Sequence, residues 1–275
     1  MRDVLKTRQG KLAARRRKRA AFLLLFFLAA AGITFSVLSF VSQLDSLSIQ
    51  SVAVRGNVRI PTEAIENIVL EKLTGNDISF FSRRNIYLYP KGPIVQAVAL
   101  LPAVASVEAS RDGGTLVISV HEREEAALWC AGLTQDTGCF SMDAEGYIFA
   151  EQPREDPKLF RYRGLIYDMP IGKRLLPTDQ FRNIGFFMNE LAGLSVEPRE
   201  AILSGTSTLI YMTISLEGGG KLIVNSEDDL STVLSNVAAV ISNKAVAPSL
   251  SVFLASLDYM KLDIGNKIVY KLKSR

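Results

Sequence analysis

An uncharged run of 25 residues, 20–44, constrains this chain more than any other feature of its sequence. A segment inside the hydrocarbon core of a bilayer meets no water, so its backbone groups must pair within the segment, as they do in a helix. A helix of about 20 residues spans that core. We therefore predict one transmembrane helix over residues 20–44, long enough to cross with some tilt.

The residues before this run predict its orientation. Residues 1–19 contain nine Lys and Arg residues and one acid, Asp3, and positive charge beside a span stays in the cytoplasm. The run is then a signal anchor behind a basic cytoplasmic tail, and everything after residue 44 lies outside. The alternative is a cleaved signal peptide with its small-residue site at residues 29–31. The long basic tail and the apolar run beyond Ala31 argue against cleavage.

Net charge differs between the tail and the rest of the chain. Residues 1–19 carry +8 and the whole chain carries +4, so residues 20–275 carry −4. That part shows no basic stripe interleaved with aromatic residues, which argues against a nucleic-acid partner. The tail itself is either simple topogenic charge or a contact for anionic lipid headgroups, to which each nearby base contributes roughly 1 kcal/mol.

Residues 45–124 show the alternating and periodic patterns of an α+β domain. The first strand, 49–54, ends at Gly56 and Asn57, a predicted structural turn where φ > 0 is expected. Two amphipathic helices follow, and two strands joined by a hairpin at residues 112–114 close the segment. The order strand, helix, helix, strand, strand fills about 80 residues, enough for one core.

Four pieces of this segment, taken in order behind an anchor, resemble the POTRA domain of the FtsQ/DivIB family of bacterial cell-division proteins. They are VAVRGN (52–57), PTEAI (61–65), LPAVASV (101–107) and LVISVHER (116–123). The resemblance implies a membrane-proximal POTRA domain with a β-α-α-β-β order over residues 45–124.

Residues 125–275 resemble the second, β-rich domain of the same family. The pieces that carry this resemblance are MDAEGYIF (142–149), LDYMKLD (257–263) and GNKIVY (265–270). Periodicity predicts two packed helices in this domain, one over residues 178–191 and one capped by Ser226. It also predicts two closing strands around the turn Gly265-Asn266.

The two cysteines, Cys130 and Cys139, lie in the part expected to be outside. The loop between them is short and turn-rich, and an oxidising compartment favours a disulfide, worth about 2 to 3 kcal/mol. A free thiol pair is the alternative. Zinc wants four ligands, and the chain offers no other Cys and one His, so we expect no metal.

No nucleophile or phosphate-binding motif occurs in the sequence. His121 is the single histidine and is expected on a strand surface. The acidic pair Asp228-Asp229 is explained by a helix N-terminus. We therefore expect no enzymatic activity, no cofactor and no small-molecule substrate.

The closing strand, residues 267–273, is expected to be a sheet edge. Lys267, Lys271 and Lys273 fall on one face of it, a pattern typical of an edge guarded against aggregation. The same edge is predicted to receive an extended partner segment, although a merely protected edge fits the pattern as well. The predicted partner-binding residues are Tyr259, Ile264, Lys267, Val269, Tyr270 and Lys271. Replacing Val269 by Pro is expected to remove one backbone donor and to disturb the ladder.

The family resemblance implies a non-enzymatic scaffold of the division septum in the cytoplasmic membrane, with FtsB/DivIC-like and FtsL-like proteins as its partners. The alternative is a POTRA-containing component of protein secretion or outer-membrane assembly. Against that alternative, the POTRA pattern is not repeated, and no series of alternating barrel strands follows it. A membrane-tethered hydrolase, a third option, lacks a nucleophile motif.

The predicted topology is testable with protease added to intact spheroplasts. We expect the protease to remove the mass beyond residue 44 and to leave a small protected N-terminal fragment, detected by an antibody to the tail. Protection of the whole large domain would reverse the predicted orientation.

Overall fold

The structure is a computed structural model that describes residues 2–74, 80–132, 138–152, 158–166, 168–205, 209–225, 228–243, 246–247, 249–264 and 267–274. For residues 2–17, 20, 263 and 264 it describes the backbone alone. The chain divides into two compact units, Met1–His121 and Glu122–Arg275. The fold is mixed α/β, with one apolar N-terminal helix, a small sheet in the first unit and a large sheet in the second.

The first helix, α1 (Arg2–Ser42), contains the apolar run. Among the described residues, its segment Ala21–Ser42 is the one helical stretch long and apolar enough to cross a membrane. Its large apolar side chains are exposed all along that segment, as a lipid-facing helix requires. The hydroxyls of Thr34 and Ser36 donate to the carbonyls of Ala30 and Gly32, both at 2.9 Å. These polar groups are thus satisfied without water.

The first unit continues with strands and helices in the order β, α, α, β, β after a 3₁₀ turn at Asp45–Leu47. The strands form one sheet in the order β1-β3-β2, in which β1 runs parallel to β3. Apolar residues at helical spacing bury one face of each helix against this sheet. The elements are β1 (Ser51–Arg55), α2 (Thr62–Thr74), α3 (Lys91–Ala99), β2 (Val104–Asp112) and β3 (Thr115–Glu122).

The second unit is built on a sheet that contains nine strands within the described residues. Its order is β12-β11-β10-β9-β8-β7-β4-β5-β6, and three of the pairings are parallel: β4 with β7, β7 with β8, and β10 with β11. The strands are β4 (Ala127–Cys130), β5 (Cys139–Met142), β6 (Ile148–Gln152), β7 (Phe160–Arg163), β8 (Pro198–Gly205), β9 (Ile210–Leu216), β10 (Lys221–Asn225), β11 (Leu257–Ile264) and β12 (Lys267–Leu272).

Three helices accompany this sheet, one more than the sequence predicts. They are α4 (Thr178–Gly193), α5 (Leu230–Ser242) and α6 (Leu250–Ser256). Asp229 caps α5, with its carboxylate accepting from the backbone N–H of Ser231 at 3.2 Å. The predicted cap Ser226 lies outside the described residues, as does the predicted turn Gly265-Asn266. Hydrogen bonds from the Thr232 hydroxyl and from Ser231 hold the pKa of Asp229 below its usual value, as expected for a capping carboxylate.

Two ion pairs inside the second unit have no clear signal in the sequence. The buried guanidinium of Arg163, on β7, donates to Glu200 on β8 at 2.8 Å and so joins two parallel strands. Arg123 donates to the buried carboxylate of Asp143 at 2.6 Å. A buried charge is tolerated when it is paired and hydrogen-bonded, as both are here.

Gly56 occupies a backbone position that a side chain does not fit. Its φ is +82°, in the left-handed region, and a Cβ added there would lie 2.2 Å from the carbonyl oxygen of Val120 on β3. The turn after β1 therefore passes directly over the neighbouring strand. The side chain of Asn57 holds the next bend by donating to the Ile60 carbonyl at 2.8 Å.

We expect Gly56→Ala to destabilise the first unit more than Gly113→Ala does. Gly113 also has a positive φ, +59°, but an added Cβ there meets nothing within 4 Å. The Gly113 variant therefore isolates the cost of the left-handed conformation, roughly 1 to 2 kcal/mol. Hydrogen exchange of the β3 amides in the detergent-solubilised full chain measures both changes. Equal losses of protection would show that the approach to Val120 is harmless.

Candidate functional site

Strand β12 forms one border of the large sheet. It pairs with β11 on one side, and no strand within the described residues lies on its other side. Five of its six residues are exposed and Ile268 is half-buried. An uncovered edge strand offers a row of backbone donors and acceptors to a further strand.

The register between β11 and β12 sorts the predicted contact residues onto two faces. Tyr259 lies opposite Lys271, and Met260 lies opposite Tyr270. Paired residues share a face and successive residues alternate, so Tyr259 and Tyr270 lie on opposite faces. Tyr270 is on the face of the core, with its ring 5.8 Å from that of Phe253. The two tyrosines therefore cannot contact a partner strand from the same face of the sheet.

Three of the remaining predicted residues, Lys267, Val269 and Lys271, lie on the face of Tyr259. Lys267 and Val269 alternate with Ile268 and Tyr270 along β12, and both are exposed. The backbone of Ile264 pairs with Lys267, and the side chain of Ile264 lies outside the described residues. One exposed face of the β11–β12 pair thus collects Lys267, Val269 and Lys271 beside Tyr259.

The cations on this edge make local contacts. The Nζ atom of Lys271 lies 3.2 Å from an Asp258 carboxylate oxygen and 5.9 Å from the centre of the Tyr259 ring. Both members of the ion pair are exposed, so the pair contributes little to stability. The Nζ atom of Lys273 donates to the carbonyl of Ala255 at 2.8 Å. The Asp258 carboxylate thus offsets the charge of Lys271, whereas Lys273 bonds a neutral carbonyl.

The backbone N–H of Val269 points toward β11, and the outward-pointing donors of β12 belong to its neighbours. The N–H of Lys273 donates to the carbonyl of Ser256 at 2.8 Å, toward β11. Backbone groups along a strand alternate in direction, so the N–H groups of Lys271 and Val269 also point toward β11. Those of Tyr270 and of residues 268 and 272 point outward. Pro at position 269 therefore removes a donor of the internal ladder and no outward donor, so partner pairing is better probed at position 270.

The disulfide lies far from this edge. Cys130 and Cys139 are bonded across the paired strands β4 and β5, with their Cα atoms 4.1 Å apart. Six strand spacings separate β4 from β12 in the sheet order, roughly 29 Å at about 4.8 Å each. The turn at Gly56 belongs to the first unit. The structure thus does not gather all the predicted residues into one site. Only the predicted partner-binding residues lie together, on β11 and β12.

The described residues hold no group of three His, Cys, Asp or Glu side chains arranged to bind a metal ion. His121 is exposed near the end of β3.

Burial raises the pKa of Tyr162, so its phenol stays protonated in the core at neutral pH.

Comparison with models of known protein families gives no match to the chain. Comparison with curated protein sequences gives no match either.

The direction of the β12 backbone predicts opposite results for Pro at adjacent positions. Val269→Pro removes an internal ladder bond and is expected to cost about 1 kcal/mol or more in unfolding free energy. Tyr270→Pro keeps every bond to β11, and Tyr270→Ala controls for the lost ring. Hydrogen exchange of the β11 amides in the full chain measures the effect. Greater loss of protection in the Tyr270→Pro variant than in the Val269→Pro variant would reverse the assigned backbone direction.

Proposed function

We propose that this chain is a non-enzymatic scaffold of the bacterial division machinery, of the FtsQ/DivIB type. In this proposal α1 anchors the chain in the cytoplasmic membrane with its basic tail inside. The first unit serves as a POTRA domain, and the second unit offers the β12 edge to another division protein at the septum. The observation that carries the proposal is the open edge of β12, one of the two border strands of the described sheet.

The first unit supports the POTRA assignment by its order of elements. One strand, two helices and a two-stranded hairpin follow directly after an apolar anchor. The core that these elements share is small and continuous, as expected for a module that docks to neighbours through its surface. A POTRA domain in this position would recruit another membrane protein close to the bilayer.

The β12 edge supports binding by strand addition. The N–H and C=O groups of residues 268, 270 and 272 point outward, so three donors and three acceptors face a partner strand. Each hydrogen bond contributes about 1 kcal/mol net, so the backbone alone gives a modest affinity. Side-chain contacts must supply the rest and the choice of partner.

Charge predicts the chemistry of the partner segment. Lys267, Lys271 and Lys273 put three cations within seven residues, on a part of the chain whose net charge is otherwise negative. An extended segment with acidic residues at alternate positions would place its carboxylates beside these cations. Such complementarity raises the association rate and selects the register more than it raises the affinity.

We expect the protein to concentrate at midcell when a fluorescent protein is fused to its cytoplasmic tail. Depletion is expected to produce filaments, because a missing division scaffold blocks septation while growth continues. Uniform envelope fluorescence, with secretion defects and normal cell length on depletion, would favour a role in protein transport instead.

The strand-addition step is tested by one pair of variants. Tyr270→Pro removes an outward donor, whereas Tyr270→Ala removes the same ring and keeps the donor. We expect the Pro variant alone to lose co-purification with an FtsB/DivIC-type protein, while circular dichroism of both variants stays alike. Equal binding by the two variants would exclude backbone pairing at β12.

A further inference from the structure

An exposed apolar loop of the first unit, residues 80–88, rests against α1. Phe80, Tyr87 and Leu88 are exposed by 63%, 73% and 54%. Several large apolar side chains exposed close together are typical of a surface that contacts another molecule or a membrane. The loop joins α2 to α3, and the described part of it begins at Phe80.

Aromatic contacts locate the loop along the anchor. The rings of Phe80 and Phe81 lie 5.3 and 5.5 Å from the ring of Phe35, both edge-on. Phe35 precedes Ser42, the last residue of α1, by seven positions. At about 1.5 Å per residue, the two loop rings therefore lie about 10 Å below the outer end of the helix.

Hydrogen bonds fix the backbone of the loop near the outer end of the helix. The Ser39 hydroxyl donates to the carbonyl of Phe80. The amide of Asn85 donates to the carbonyl of Ser42 at 3.1 Å, and the backbone N–H of Ser82 donates to the Ser42 hydroxyl at 3.3 Å. The loop thus caps the end of α1 and satisfies one of its last carbonyl groups.

We propose that Phe80 and Phe81 enter the outer leaflet of the bilayer beside α1, so that loop 80–88 is a second membrane contact of the chain. If Ala21–Ser42 spans the hydrocarbon core, rings 10 Å below its outer end lie among acyl chains. Lipid-exposed irregular backbone is not tolerated at such depth, and the loop backbone avoids it. It bonds to Ser39 and Ser42 at the end of the helix, so that the rings alone reach the level of Phe35.

The composition of the loop fits this position. Arg83 and Arg84 follow the two phenylalanines directly. Aromatic rings and basic side chains are the groups that proteins place at the membrane interface, with the rings inward and the charges at the headgroups. Continuity with the lipid-facing surface of α1 selects the bilayer as the occupant of this surface. A membrane-spanning helix of another protein is the competing occupant, which the experiment below separates.

This inference rests on the proposed membrane anchoring, so its test includes a probe of the anchor. The full chain is labelled with the environment-sensitive fluorophore NBD at a single introduced cysteine and reconstituted alone in phosphatidylcholine vesicles. Cys130 and Cys139 are bonded to each other and do not react without reductant. The labelled positions are Phe80→Cys in the loop, Leu28→Cys inside the span and Val58→Cys as an exposed apolar control in the same unit.

We expect the Phe80 probe to show blue-shifted emission and strong quenching by doxyl-labelled lipids. The Leu28 probe is expected to be quenched as well, since Leu28 follows the inner end of Ala21–Ser42 by seven residues, as Phe35 precedes its outer end by seven. The Val58 probe is expected to be quenched by no doxyl-labelled lipid. Circular dichroism checks that each variant is folded. A quenched Leu28 probe with an unquenched Phe80 probe would overturn the loop insertion alone and point to a protein partner. An unquenched Leu28 probe would overturn the anchor and, with it, this inference.

A second pair of variants tests the inference without a label on the loop. Phe80→Glu puts a charge among acyl chains, whereas Leu100→Glu puts one on an 82% exposed residue after α3. Hydrogen exchange of residues 82–88 in vesicles is expected to speed up in the Phe80 variant and to stay unchanged in the Leu100 variant. Equal exchange in both variants would contradict insertion.

Discussion

Backbone N–H and C=O groups need partners wherever water is excluded, and each part of this molecule meets that need in a different way. In the span of α1 the helix pairs its own backbone, and the hydroxyls of Thr34 and Ser36 return to it. In the large sheet, each strand between the two borders pairs on both sides. The free groups are left where the described sheet stops. One of those places is β12, and its outward groups are the ones that the proposed strand addition would pair.

The same requirement explains how charge is placed in the second unit. Arg163 is buried between two parallel strands, and its guanidinium has Glu200 and the carbonyls of Ala131 and Gly132 within reach. The lysines at the β12 edge remain exposed, where a charge costs little. Buried ions thus cross-link neighbouring strands, while exposed ions guard a border. Removing either partner of the buried pair would leave an uncompensated charge in the core.

Local chemistry in the sequence predicts the elements whose causes are local. The helix that begins at Thr62 follows Pro61, and the β9–β10 hairpin follows from a glycine-rich turn between alternating runs. Strand β7 escapes such reasoning because its partners, β4 and β8, lie more than 30 residues away in sequence. Its buried arginine also makes the segment resemble a polar loop. The direction of the β12 donors escapes it as well, since the hydrogen bond from Lys273 to Ser256 is what shows which groups face β11. The position of loop 80–88 along α1 depends on ring contacts between residues that are about 45 positions apart in sequence.

The joint between β10 and β11 has a mechanical consequence. Their parallel pairing has two register pairs, Leu222 with Met260 and Ile223 with Lys261, whereas β11 and β12 share five. If a partner rooted in the same membrane binds along β12, tension between the two anchors passes through this short seam. A load directed along the strands shears all of its bonds together, and one directed across them opens the bonds one after another. The direction of the force relative to the strands would then decide whether β10 and β11 stay paired.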